Sequence, residues 1–173
     1  MTKIFIIPGY QNSLGKHWQS IWEHKFHFEK IQQNDWNYPI CQEWIDNIQS
    51  YIKQQNSSDI ILVGHSLGCI AIVNWAKQTS LKIKGALLVA LPEPKNSMFP
   101  KQAIGFDKIN NSRLNFKSIL VASTDDPYSS IEHAKKFANL WGSEFINIGD
   151  KGHINMDSNL GDWQEGIHLL NTL

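Results

Sequence analysis

Cysteine is scarce in this sequence. The two cysteines among 173 residues, Cys41 and Cys69, cannot make a disulfide framework. Both fall in segments patterned as helices, so a reduced, cytoplasmic protein is expected. An excess of charge of one sign is also missing. Sixteen Lys and Arg balance sixteen Asp and Glu, and no basic block stands out. Nucleic acid and anionic membranes are therefore poor main partners. Long apolar runs are missing too. Ile4 to Ile7 is stopped by Pro8-Gly9, too short for a signal peptide or a membrane span, and nothing later is long enough to span a bilayer. No internal repeat and no low-complexity linker divides the chain. One domain over residues 1–173, large enough for a sizeable core, is the expectation. Aromatic residues, in contrast, are plentiful. Seven tryptophans are present, and some are expected to line a cavity rather than only fill the core.

The apolar pattern alternates between short runs and helical faces. Lys3 to Ile7 reads as a strand. Trp18, Ile21, Trp22 and Phe26 share one face of a helix from Lys16 to Phe26. Phe26 to Gln32 reads as a second strand. Cys41, Trp44, Ile45, Ile48 and Ile52 mark the next helix. Asp59 to Val63 is a third strand and Cys69 to Ala76 a buried helix. Ile83 to Ala90 and Ser118 to Ser123 are further strands. Leu91 to Phe116 is irregular and broken by prolines. Ser129 with Glu132 offers a capping box for a helix running to Trp141, with Gly142 just past its end. Glu144 to Ile148 is the last strand, and Gly161 to Leu170 the last helix. Strands alternating with helices predict a three-layer α/β/α sandwich. Its sheet is mainly parallel and doubly wound, with about six strands.

The centre of this pattern is Gly64-His65-Ser66-Leu67-Gly68. It lies between an apolar strand and an apolar helix. In that context Gly-x-Ser-x-Gly is a nucleophile elbow, a turn so tight that glycine is needed on both sides of the serine. The corner lifts the Ser66 hydroxyl above the sheet edge. It also aims backbone N–H groups at the start of the helix towards the same point.

A serine so placed needs a base, and the base needs a carboxylate. In parallel sheets the site lies past the carboxyl ends of the strands. Gly9, Tyr10 and Gln11 follow the first strand there, and Asp35 and Trp36 the second. Asp125 and Asp126 follow the fifth, and Asp150 and His153 the sixth. Ser66, then an Asp of the 125/126 pair, then His153 is the chain order an elbow fold uses. The other histidines fit less well. His17, His24, His133 and His168 lie on helices and His27 in the second strand, where packing or solvation explains them. His65 is inside the elbow, but its side chain is expected to point away from Ser66. Between the two carboxylates Asp126 is preferred. Side chains alternate along a strand, and Pro127 biases residue 126 towards an extended direction. Asp125 is expected to close the turn by an Asx hydrogen bond.

The chain resembles the small serine hydrolases of the α/β-hydrolase fold, of the retinoblastoma-binding protein 9 and YdeN type, and its bacterial branch fits best. The matching pieces run nearly the whole length. They include Pro8-Gly9, His17-Trp18-Gln19, Gly64 to Cys69, Ala122 to Tyr128, Trp141-Gly142, Gly152 to Asn155 and Gly161-Asp162-Trp163. The resemblance implies a triad of Ser66, Asp126 and His153, and a serine hydrolase of carboxylesterase type. Such chemistry proceeds through an acyl-enzyme and needs no cofactor. The expected oxyanion donors are the backbone N–H groups of Leu67 and of Tyr10, or Gln11. The substrate partner is a small ester-type molecule. Leu91 to Phe116 is too short for a full helical lid, so the site is expected to be open and to favour small acyl groups. Trp36, Phe99 and Phe106 are placed as its pocket walls.

Three other readings are weaker or compete. Gly9 to His17 mimics a phosphate-binding loop, but its glycines are one residue too far apart. His17 also stands where Ser or Thr would hold magnesium. Asp150, His153 and Asp157 have metal-like spacing but no partner cluster. The alternative function is a binding or scaffold protein on an α/β-hydrolase fold, with an intact but idle triad.

Overall fold

A computed structural model describes residues 2–173. Lys3–Ile7 forms β1, Glu29–Lys30 β2, Ile60–His65 β3, Gly85–Val89 β4, Lys117–Ala122 β5 and Glu144–Asn147 β6. Five helices intervene: α1 (Trp18–Phe26), α2 (Cys41–Lys53), α3 (Leu67–Gln78), α4 (Ile131–Trp141) and α5 (Gln164–Asn171). All six strands pair in parallel, in the order β2-β1-β3-β4-β5-β6. The chain winds outward from β1 to β2, then returns to β3 and continues the other way. The reversal falls between β1 and β3, and a crevice opens there at the carboxyl ends.

The central strands β1, β3, β4 and β5 are largely apolar on both faces because both are covered. Phe5, Ile7, Leu62, Leu88 and Leu120 pack beneath α2, α3 and α4. Their neighbours Ile6, Ile61, Val63, Leu87, Val89 and Val121 pack on the other side with α1 and α5. The period of two along each strand thus sorts one sequence run into two cores. The result is the three-layer α/β/α sandwich that the alternation predicts.

The tryptophans fill these layers and tie loops to them. Trp18, Trp22, Trp44, Trp75 and Trp141 are fully buried. Trp18 and Trp163 meet edge-on at 4.9 Å, and Trp22 and Trp163 stack at 5.8 Å. The Trp18 indole N–H donates to the Ile154 carbonyl (2.8 Å) and that of Trp22 to the Asp162 carbonyl (2.7 Å). α1 therefore anchors the segment after β6. Truncating a buried aromatic of this kind typically costs about 3–5 kcal/mol.

Three local expectations are corrected. The second strand shrinks from Phe26–Gln32 to Glu29–Lys30, because α1 runs through Phe26 and His27 caps it in a left-handed conformation (φ 57°). The capping box of Ser129 with Glu132 does not form. The cap of α4 is Ser130, whose side chain accepts from the His133 N–H. Ser129 is buried in the preceding turn, one residue too early to reach that first turn. The last helix begins at Gln164 rather than Gly161, since Trp163 at φ 42° still lies outside helical geometry. As expected, 91–116 carries no helix. A single parallel bridge, Ile40 to Ile104, ties it to the start of α2. No helix among the described residues is long and apolar enough to cross a membrane.

Candidate active site

The elbow is built by close approach. Ser66 has φ 54° and ψ −121°, a conformation a non-glycine residue holds only when its surroundings impose it. Those surroundings leave no room for side chains. A Cβ on Gly68 would lie 2.1 Å from the Ile7 carbonyl oxygen, and one on Gly64 would lie 2.7 Å from Ile72 Cδ1. α3 can thus begin at Leu67, directly against the end of β1.

Four strand ends deliver the site. β3 ends at His65, directly before Ser66, and the segments after β5 and β6 bring Asp126 and His153. His153 Nε2 lies 2.9 Å from Ser66 Oγ. Its Nδ1 lies 2.9 Å from both carboxylate oxygens of Asp126. Ser66 is 8% and His153 9% exposed, so bulk water scarcely competes for these bonds. The Tyr128 N–H also donates to Asp126 Oδ1 (2.9 Å), which fixes the carboxylate. The Asx turn thus belongs to Asp126. Asp125, assigned that role from the sequence, instead accepts from Ser123 Oγ (2.8 Å) and from the Gly152 N–H (2.7 Å). These two donors hold its carboxyl below the usual range.

β1 supplies the fourth side. A Cβ on Gly9 would lie 2.7 Å from Ser66 Cβ, so only glycine lets this loop reach the serine. The Gln11 N–H donates to the Trp36 carbonyl (2.8 Å), which removes it from the oxyanion donors. Among the described residues no group of the chain accepts from the N–H of Tyr10 or of Leu67. Ser13 Oγ bonds Gln19 Oε1 (2.8 Å), and Gln19 Nε2 donates to the Val63 carbonyl (3.2 Å), pinning the loop to β3.

A cavity of about 430 Å³ opens beside Ser66, with Tyr10, Leu14, Pro92, Tyr128 and Met156 among its walls. Trp36, Phe99 and Phe106 do not line it, which corrects their placement as pocket walls. Phe106 is fully buried, edge-on to Trp44 at 5.2 Å. Trp36 packs on the same Trp44, also at 5.2 Å, and Phe99 lies against that core cluster. No tryptophan borders the cavity, contrary to the expectation from their number. Tyr10 and Tyr128 are tyrosine walls instead, and the Tyr128 ring centroid lies 4.3 Å from that of His153. For Tyr128, the position two residues after Asp126 was the available signal.

Two more histidines lie behind His153. The rings of His17 and His65 are 4.7 Å apart, and those of His65 and His153 5.0 Å. His17 caps α1, its Nδ1 accepting from the Gln19 N–H, and its Nε2 is buried without a partner. Burial, with smaller contributions from His153 and Lys30, lowers the His17 pKa to about 3. Burial, then the nearby His17 and His153, holds His65 well below its ordinary value. Between about pH 6.5 and 3 the unfolded chain binds a proton at His17 and the folded chain does not. The contribution of His17 to stability is therefore complete above pH 6.5 and falls as pH falls, by up to about 1.4 kcal/mol per unit, and the lowered pKa of His65 acts in the same direction. Urea midpoints at pH 7 and pH 5 should differ accordingly. His17→Asn, which keeps a capping acceptor, should flatten that slope. An unchanged slope would mean that His17 is not one of the groups responsible.

Among the described residues no three His, Cys, Asp or Glu side chains are arranged to hold a metal ion. Cys69 is buried in α3, and burial pushes its thiol far above the ordinary value.

Comparison with known proteins agrees with this architecture. A family model described as serine hydrolase matches residues 4–172. The YdeN protein of Bacillus subtilis (strain 168) is 26% identical over 167 residues, spanning 88% of this chain and 86% of that protein. The crystal structure of a YdeN-like hydrolase from Pectobacterium atrosepticum superposes with a TM-score of 0.87 at 32% identity, covering 98% of this chain and 89% of that one. The structure of the Bacillus subtilis ydeN gene product gives a TM-score of 0.85 at 20% identity, covering 99% and 98%. With one family model spanning nearly its whole length, and likeness in sequence and fold to YdeN-type hydrolases, the chain belongs to the serine hydrolase family.

Proposed function

We propose that this protein hydrolyses small carboxylic esters through an acyl-enzyme formed on Ser66. The observation that carries the reading is the continuous hydrogen-bonded row from Ser66 Oγ through His153 to Asp126, at the edge of an open cavity. His153 Nε2 takes the hydroxyl proton as Ser66 Oγ attacks the ester carbonyl. Asp126 holds the imidazole tautomer and stabilises the imidazolium. The N–H groups of Leu67 and Tyr10 bond the oxyanion, strengthened by the N-terminus of α3. His153 returns the proton to the leaving alcohol as the C–O bond breaks. Water, activated by the same imidazole, then releases the acid and restores Ser66. No cofactor enters these steps. Two buried free thiols suit the reducing cytoplasm as its location.

The cavity has no helical cover, so nothing selects for long chains. Two measurements test the reading together. A fluorophosphonate probe should label Ser66 stoichiometrically, because it reacts only with an activated serine. Nitrophenyl acetate and butyrate should turn over faster than the decanoate. An unlabelled serine would point to an idle site on a hydrolase scaffold. A preference for long chains, with activation at lipid interfaces, would overturn the small-ester assignment.

A further inference from the structure

His153 hangs from a loop, yet its ring must meet two partners at once. The loop has no regular structure, and Gly149, Gly152 and Ile154 all have positive φ. Two contacts fix the backbone on either side of the imidazole. On the nucleophile side, His65 Nε2 lies 2.9 Å from the carbonyl oxygen of His153 itself. A carbonyl only accepts, so the His65 proton sits on Nε2. The neutral, buried ring is a fixed donor. On the acid side, Asp125 Oδ1 accepts the N–H of Gly152, the residue before His153 (2.7 Å). Ser123 braces the same contact. Its hydroxyl donates to Asp125 Oδ1 and accepts the Lys151 N–H, both at 2.8 Å. His65 precedes Ser66 in the chain, and Asp125 precedes Asp126. Each group that the imidazole must meet is thus covalently next to a group that holds the imidazole's backbone.

We propose that His65 and Asp125 are positioning residues that clamp the His153 loop between them, registering the imidazole on Ser66 and Asp126. The proposal rests on His153 being the base. Neither residue touches the reacting atoms in this arrangement. Their contribution is orientation, where a displacement of about 1 Å can cost on the order of 100-fold in rate.

Four variants test the clamp, with His153→Ala as reference. Asp125→Ala and His65→Leu remove the acceptor and the donor. Each should lower kcat about 10- to 100-fold, leave KM nearly unchanged, and broaden the downfield NMR signal of the His153 Nδ1 proton. Asp125→Asn keeps an acceptor oxygen, and His65→Gln can present a donor near the Nε2 position. Both should recover most of the rate. Wild-type kcat in Asp125→Ala would overturn the proposal, as would equal losses in the Ala and Asn variants, or an effect on KM alone. His65 is buried and its Leu variant can fail to fold. Asp125 is exposed, so its pair of variants decides the matter regardless. Full activity in His153→Ala would overturn the base assignment instead, a different result from wild-type kcat in the clamp variants.

Discussion

Ser66→Ala is expected to lower ester hydrolysis by about 10⁴-fold or more while the fold survives. The expectation follows from how little else the hydroxyl does. Its one hydrogen bond is to His153 Nε2, and no other group of the chain depends on it. The backbone strain at residue 66 is set by Gly64, Gly68 and Gly9 and not by the side chain. Alanine fits that conformation no worse than serine, so circular dichroism and the melting temperature should change little. The residual rate should come from the oxyanion donors acting on a water. Steady-state kinetics on nitrophenyl acetate, with the melting curve beside it, makes the measurement. A mutant that keeps more than about a tenth of the wild-type rate would remove Ser66 as the nucleophile.

Asp126→Asn should come next in size, at about 10²- to 10⁴-fold in kcat. The substitution is nearly isosteric, and Asn can still accept from the Tyr128 N–H through Oδ1. What changes is the partner of His153 Nδ1. An amide offers N–H where the carboxylate offered a second acceptor, which favours the tautomer with the proton on Nε2, unable to accept from Ser66. The imidazolium formed during attack also loses its counter-charge. Asp125→Asn keeps its oxygen for Ser123 and Gly152, and should cost less than tenfold by comparison. Measuring both kcat values decides between the adjacent carboxylates. The reverse order would move the acid to Asp125. Equal small losses would send the search to Asp150, exposed on the same loop as His153.

The fold was legible because its signals are local and repeated. A run such as Ile60-Ile61-Leu62-Val63 can be buried on both faces only in a covered parallel sheet, and the Trp44, Ile45, Ile48 spacing reads as a helix directly. The spatial meeting of Ser66, Asp126 and His153 was legible for a related reason. In a parallel sheet, position past a strand end is already position in space. The walls of the cavity were not legible. Whether Phe106 faces substrate or Trp44 depends on how 91–116 drapes over α2, and nothing in that irregular segment encodes it. The loss of the Gln11 N–H was equally hidden, because its acceptor is a backbone carbonyl, Trp36, from another loop. The role of Asp125 was misread for the same reason: an exposed Asp in a turn looks local, whereas its carboxylate reaches 27 residues along the chain to Gly152.

The strand order also bears on how the chain acquires activity as it folds. Ser66 and His153 are 87 residues apart in sequence, and β4 and β5 separate their strands in the sheet. The two can meet only after three consecutive parallel pairings, β3 with β4, β4 with β5 and β5 with β6, have closed. Pairings of this kind are the slow, entropically costly steps of chain collapse. The segment that presents His153 must then dock its carbonyls on the indoles of Trp18 and Trp22, from the opposite end of the chain. Helices and the central strands can form early without yielding a reactive serine. On the proposed function, a partly folded chain carries Ser66 without His153 and is expected to be chemically quiet, and the return of turnover on refolding should mark the last docking event rather than the first collapse.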